Sequence, residues 1–399
     1  MRAAKIKRRG RAADIGDGSN PQQKRAGQCG PTGSNPGQPR PGFDAFSQTA
    51  QTPRLSWEGK MTAHKWMRRS LAVLSAAFVA ASVAPVSAQT LRDITFVQPS
   101  PSAINSFPVY VAIGEGYFKE EGLNVRVESV NGSGPVLQAV SAGQAQFGRP
   151  GPGPVLNARL RDIDVVFIYN MMVKSSFSVV VKEDAPFKGL GELKGKIIGV
   201  GTADGAEVGF ARGVLASVGM AENKDYTFLT VGDGGLAAAA FLRGDISGYA
   251  ASTQDTAILH QRGIKLRDLT PEAFLTYFGN GFVTMRQTID KDPKLVEGFG
   301  RALVRGQKFT MDPANRAKVL AHLKAGMPQE VEDEAFANAL LDAVLRKTLP
   351  VGENKGWGYQ DPAHWDRWQK SLLETGSLKQ PVPDLTKAYT NAFIEAWNK

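Results

Sequence analysis

From residue 91 onward, short apolar runs alternate with longer stretches whose apolar residues recur every third or fourth position. A period of two, or a short continuous apolar run, marks a strand, and a period near 3.6 marks a helix. The pattern predicts strands over 94–97, 124–130, 165–169, 177–181, 196–200, 226–231 and 247–251. Helices are predicted between them over 109–118, 136–142, 206–218 and 236–242. Strands alternating with helices in this way imply parallel sheets covered on both faces. After about residue 285 the text is almost wholly helical, over 295–309, 314–324, 331–349, 362–373 and 385–397. Asp292-Pro293 and Asp361-Pro362 supply an N-cap and a first-turn proline at two of those starts. The architecture expected is α/β with a helical tail.

The first 88 residues read differently. They hold 14 Lys+Arg against 4 Asp+Glu, so the whole chain's net charge of +10 belongs to them and the remainder is neutral. A nucleic-acid partner is therefore not expected, because no basic excess survives beyond the leader. Residues 1–60, rich in Gly, Pro, Ser, Gln and Arg, show no apolar periodicity and are read as a disordered or mis-assigned upstream extension. From Met61, a basic stretch with Lys65, Arg68 and Arg69 precedes a 14-residue apolar run over 71–84, then Val86-Ser87-Ala88. That is the layout of a signal peptide spanning 61–88, cleaved after Ala88, with translation starting at Met61. Ordinary secretion is preferred to a twin-arginine route, and a soluble periplasmic monomer is the expected product. The sole cysteine, Cys29, falls in the leader, so the mature chain has no disulfide and no cysteine nucleophile.

Four segments, in order, carry a family resemblance: PVYVAIGEGYFKEEGLNV over 108–125, LQAVSAGQAQFG over 137–148, GLGELKGKIIGVG over 189–201 and DKDPKLVEGFGRAL over 290–303. Together they resemble the NMT1/THI5-like solute-binding proteins. The resemblance implies a fold of the periplasmic-binding-protein type II kind: two doubly wound α/β lobes joined by a two-strand hinge, the helical tail on lobe one. It places lobe one over 89–172 plus 275–399 and lobe two over 173–274, with crossings over 170–176 and 269–277. It further implies the receptor component of an ABC importer, working with a membrane permease and needing no cofactor. Its solute would be a sulfonate, taurine or nitrate-type anion, or an aminopyrimidine. Two departures bear on the solute: Gln146 replaces a frequent Asp, and GDISGYA over 244–250 lacks an expected acid.

Ligands of such folds sit at the C-terminal ends of parallel strands, where loops and helix N-termini face a cleft. The loop after the first strand offers Asn105, Ser106, Phe107 and Tyr110: an amide, a hydroxyl and aromatic surface. Ser133 and Gly134 follow the second strand, in a glycine-rich turn that either caps a helix or meets a ligand. Arg149 opens a Pro/Gly-rich loop and provides a fork suited to a carboxylate or sulfonate. Asn170 stands at the first crossing, to hinge and to bind. In lobe two, Thr202, Asp204 and Gly205 join a strand to a helix, and Ser252, Thr253 and Gln254 follow the last strand. Convergence of Arg149 with helix N-termini would select a small anion. Dominance of Asp204 and Phe107 would select a cationic or aminopyrimidine-type ring.

Catalytic readings find little support. Gly199, Gly201 and Gly205 nearly imitate a dinucleotide fingerprint, but Asp204 stands where its third glycine belongs. His260, His322 and His364 lack zinc-protease spacing, and neither a G-x-S-x-G elbow nor a Walker A sequence occurs. Fungal pyrimidine synthases of the same family use a cysteine-rich motif and pyridoxal phosphate, and the mature chain has no cysteine. The function expected is capture of a solute by cleft closure without chemistry. The rivals are a sensor acting on a membrane receptor, and the pyrimidine-synthesising enzyme.

Overall fold

The computed structural model describes residues 90–350 and 352–399; the upstream extension, the signal peptide and Cys29 fall outside them. Strands β1 (Arg92–Gln98), β2 (Leu123–Ser129), β3 (Phe147–Gly148), β4 (Val165–Tyr169) and β10 (Phe282–Met285) form one sheet in the order β2-β1-β3-β10-β4. Strands β5 (Phe177–Lys182), β6 (Lys196–Val200), β7 (Tyr226–Thr230), β8 (Gly248–Ser252) and β9 (Leu266–Asp268) form a second, in the order β7-β6-β8-β5-β9. Two α/β lobes result, built to one plan. The chain passes from the first sheet to the second between Tyr169 and Phe177, and returns between Asp268 and Phe282.

The sheets are mixed rather than purely parallel. β1 pairs β2 and β3 in parallel, but β10 runs antiparallel between β3 and β4. In the second sheet β5 is antiparallel to both β8 and β9. In each case the antiparallel strand is the one that has just crossed from the other lobe. The sequence pattern passes over β9 and β10, of three and four residues, because each is too short to show a period. The wholly apolar β4, VVFIY, is buried along its length although it ends the sheet, because the chain at Tyr389 and Thr390 covers its outer edge at Phe167. The edge strand β2, LNVRVES, alternates buried and exposed positions.

Helices of eight residues or more are α1 (Phe107–Gly114), α2 (Ser133–Ser141), α3 (Pro152–Arg159), α4 (Ala206–Ala216), α5 (Gly235–Arg243) and α6 (Thr253–Gln261). The tail adds α7 (Pro293–Met311), α8 (Arg316–Gly326), α9 (Glu334–Thr348) and α10 (Pro362–Glu374). The last expected helix is not continuous. A 3-10 turn over Leu385–Ala388 gives way to extended Tyr389, and helix resumes only at Ile394–Asn398. The break follows from tertiary bonds: Thr390 N donates to Phe167 O at 3.0 Å, and Asn391 exchanges two bonds with the backbone of Gln360. The tail also touches both lobes. α7 packs on α1 of the first lobe, α9 on α6 of the second, and α10 lies against α3 and α4, one from each.

Aromatic side chains hold these layers. Phe299 of α7 stacks on Phe147 with ring centroids 3.8 Å apart and also meets Phe96, Phe118 and Phe282. Trp365 of α10 is edge-on to Phe167 and Phe278, stacks on Tyr389, and donates its indole N–H to Gln360 Oε1 at 3.2 Å. Gln360 Nε2 in turn donates to Phe167 O at 2.9 Å, which leaves the buried amide paired. Truncating Phe299 removes a ring shared by both strands flanking the centre of the first sheet. Phe299→Ala should destabilise by about 3–5 kcal/mol, read as a lower urea midpoint; a loss under about 1 kcal/mol would mean that the site collapses around the missing ring.

Candidate functional site

Four helix N-termini converge where the two sheets end, two from each lobe. Gly132 and Gly151 are the N-caps of α2 and α3; Gly205 and Ser252 are the N-caps of α4 and α6. Between them lies a cavity of about 80 Å³, lined among others by Asn105, Ser133, Arg149, Thr202, Thr253 and Asn280. An apolar cavity of about 150 Å³ accommodates benzene, so a ring-sized solute enters only if the lobes separate. The lobes are shut down on each other. A Cβ on Gly151 would stand 2.2 Å from the Ala206 Cβ across the cleft. Asn105 Nδ2 donates to Gln254 Oε1 at 2.8 Å, Gln254 Nε2 donates to Glu330 Oε1 at 3.1 Å, and Glu330 also accepts from Ile104 N at 2.9 Å and from the Ser102 hydroxyl. This chain ties the first lobe, the second lobe and the tail together.

The cleft is electrically two-sided. On the first-lobe side Arg149 is only 4% exposed and its Nε has no hydrogen-bond partner. Burial pulls the guanidinium down to about 10, and the nearby Tyr110 and Glu330 offset this only in part. Asn280, 7% exposed, donates Nδ2 to Arg149 O at 3.2 Å, while its Oδ1 is unpartnered. On the second-lobe side stand three acids, one at each strand–helix junction. Glu207 accepts from Thr202 N at 3.1 Å; Asp255 accepts from Gly234 N at 2.7 Å and Ser252 N at 2.9 Å, completing a capping box. Asp233 sits at the exposed rim. Gly201 lets these acids come close: a Cβ there would lie 1.8 Å from Asp233 Oδ1 and 3.4 Å from Glu207 Oε1, so Asp233 would have to swing away. Desolvation, with Asp233 and Asp255 adding repulsion, pushes Glu207 up to about 7. Desolvation also raises Asp255, against its hydrogen bonds to Ser252 and Gly234.

Of the residues expected from sequence, Asn105, Ser133, Arg149, Thr202, Gly205, Ser252, Thr253 and Gln254 line this cavity. Six others stand elsewhere. Phe107 and Ser106 are fully buried, Phe107 in the first-lobe core, because α1 begins there and turns both side chains inward. Tyr110 is buried with its hydroxyl accepting from Gln98 Nε2 at 3.2 Å, so it backs the cleft without lining it. Gly134 and Asp204 face each other outside the cavity, on a neighbouring groove. Asn170 lines a separate cavity of about 260 Å³ beside Trp357 and Tyr359. Glu207, Asp233, Asp255 and Asn280 are functional candidates that the sequence reading passes over. Glu207 and Asp255 resemble ordinary first-turn residues and Asp233 an ordinary turn residue, and the one available signal is that every strand–helix junction of the second lobe carries an acid.

Two α/β lobes closing on a polar cleft at their strand ends define a solute-binding receptor. The chain belongs to the NMT1/THI5-like family, whose model matches residues 103–317. It is 26% identical over 329 residues to the riboflavin-binding protein RibY of Chloroflexus aurantiacus, covering 80% of this chain and 91% of that protein. It is 24% identical over 295 residues to the formylaminopyrimidine-binding protein of Halalkalibacterium halodurans, covering 71% and 84%. Its fold matches the periplasmic aliphatic sulphonate binding protein SsuA of Escherichia coli with a TM-score of 0.57 at 17% identity, covering 74% of this chain and 91% of that one.

The raised Glu207 makes a signed prediction. Its folded value of about 7 exceeds the ordinary Glu value of about 4.3, so between these the native state holds a proton that the unfolded chain releases. The stabilisation is complete below about pH 4 and is lost as pH rises through 7. Without ligand, the melting temperature should therefore fall between pH 5 and pH 8, and Glu207→Gln should remove that part of the slope. Identical slopes in both proteins, followed by calorimetry, would place the Glu207 titration at its ordinary value.

Proposed function

We propose that this chain is the exported receptor of an ABC importer, capturing a small heterocyclic solute by lobe closure and passing it to a membrane permease. The observation that carries the reading is the shut cleft itself: four helix N-termini, a buried unpaired guanidinium and an unpartnered carboxamide oxygen around one small cavity. Buried polar groups without partners are costly unless something else completes them. Relatives named for binding riboflavin and formylaminopyrimidine support a ring-shaped solute. Periplasmic location and cleavage after Ala88 rest on the leader's layout. Binding without catalysis is favoured because the cleft pairs its acids with backbone amides rather than with a nucleophile.

In this mechanism the open cleft admits solute, both lobes contact it, and closure expels water. The Asn105–Gln254–Glu330 chain then reports closure at the surface where the tail and both lobes meet. Incubating the protein with a cell extract, re-purifying it and denaturing it should release one small molecule at near one-to-one stoichiometry, identified by mass spectrometry. Extract that yields no enriched mass and no thermal shift would overturn the receptor reading.

Closure can be blocked without touching a polar group. Gly151 has φ −84°, which alanine adopts freely, so Gly151→Ala should fold normally yet hold the lobes apart through Ala206. Affinity for the extracted solute should fall by tenfold or more, and small-angle scattering with solute should report an open form. Unchanged affinity would show that the lobes close less tightly in solution.

A further inference from the structure

Glu207 and Asp233 line the cavity from the second lobe, and among the described residues no group of three or more His, Cys, Asp or Glu is disposed to hold a metal ion. Yet they face a cavity whose opposite wall is a buried cation. Helix N-termini ordinarily favour an anion. In the second lobe that preference is already answered by the protein's own carboxyls: Glu207 takes the Thr202 amide in the turn before α4, and Asp255 caps α6. An incoming anion would meet carboxyl oxygens rather than free amides on that side. On the first-lobe side the reverse holds, because Arg149 has no carboxylate to pair with and its Nε is an unused donor.

We propose, building on the receptor reading, that the solute binds in one orientation, an acceptor edge on Arg149 and an N–H or ammonium edge on Glu207 and Asp233, and that loading the cleft releases a proton. Simple anions such as nitrate and sulfonates satisfy one wall and meet carboxyl oxygens, which they cannot donate to, on the other. The proton comes from Glu207. In the closed, unliganded cleft desolvation favours its neutral carboxylic acid, and a donor arriving within hydrogen-bond distance favours the carboxylate. The charge is conserved: the proton leaves to solvent, and the solute's N–H takes its place against the oxygen.

The surroundings of Glu207 agree with this. Asp233, in the turn before α5, and Asp255 of α6 both repel its charge. Tyr249 of β8 keeps its hydroxyl proton and donates it to Gly232 O at 3.1 Å. Arg149 is the cation that lines the same cavity from the first lobe, while Arg262 lies against Gly235, farther along α6. From α10, Leu372 and Ser371 lie against Gly209 and Gly213 of α4, and neither brings charge. No cation of the second lobe lines the cavity.

The test is titration calorimetry of the full mature chain at pH 6.5, in phosphate and in bis-Tris, whose ionisation enthalpies differ. The probes are formylaminopyrimidine, riboflavin, nitrate and methanesulfonate. At least one of the two heterocycles should bind with release of close to one proton, and the anions should not bind. The release should vanish at pH 8.5 and in Glu207→Gln, which should also bind at least tenfold more weakly. Arg149→Lys, which keeps the charge and loses the fork, should weaken binding while leaving the proton count unchanged. Binding of nitrate or methanesulfonate in place of the heterocycles overturns the proposal, as does heterocycle binding with no proton released. Absence of binding by every probe overturns it too, while the receptor reading stands or falls on the extract experiment.

Discussion

Taking a guanidinium out of water without a carboxylate to meet it is costly, and the cleft is organised around that constraint at Arg149. The residue is held where β3 ends: its backbone N–H donates to Val97 O at 3.0 Å, and its carbonyl accepts from Asn280. Its position is thus fixed by β1 on one side and by the segment returning from the second lobe on the other. Glu330 helps electrostatically but is engaged by Ser102, Ile104 and Gln254. The cation is consequently fixed in place and left unsatisfied. Such a group adds little to stability and much to recognition, because a partner supplied from outside gains the whole interaction without reorganising the site.

The second lobe answers with the opposite sign. Three strand–helix turns that in another protein would be free to hold an anion are here occupied by Glu207, Asp233 and Asp255. The fold is shared with a sulphonate-binding protein, and a shared fold leaves the solute undecided.

Much of this was legible in the chain itself. Strands such as VVFIY of β4 announce themselves by unbroken apolar runs, and the cleft residues at strand ends follow from topology once the alternation is seen. Arg149, Thr202 and Ser252 are examples. What misled was orientation. Phe107 lies in the right loop, yet the helix that begins with it turns its ring into the core. Short β9 and β10 were invisible because a strand of three or four residues is defined by its neighbours and not by a pattern of its own. The acids escaped notice because a carboxylate at or just before a helix start is unremarkable until three such junctions are brought to one point.

The placement of β10 bears on how the protein is built and taken apart. It lies between β3 and β4, so the first sheet stays split until the chain has travelled through the second lobe and come back. A fragment that stops before Phe282 would carry two bare strand edges, the exposed template that drives chains to pair with one another. The lobes are therefore not separable modules. Pairing across so long a stretch of sequence also slows folding, so the nascent chain remains unfinished, and open to a chaperone or an export machine, for longer than its size alone would require.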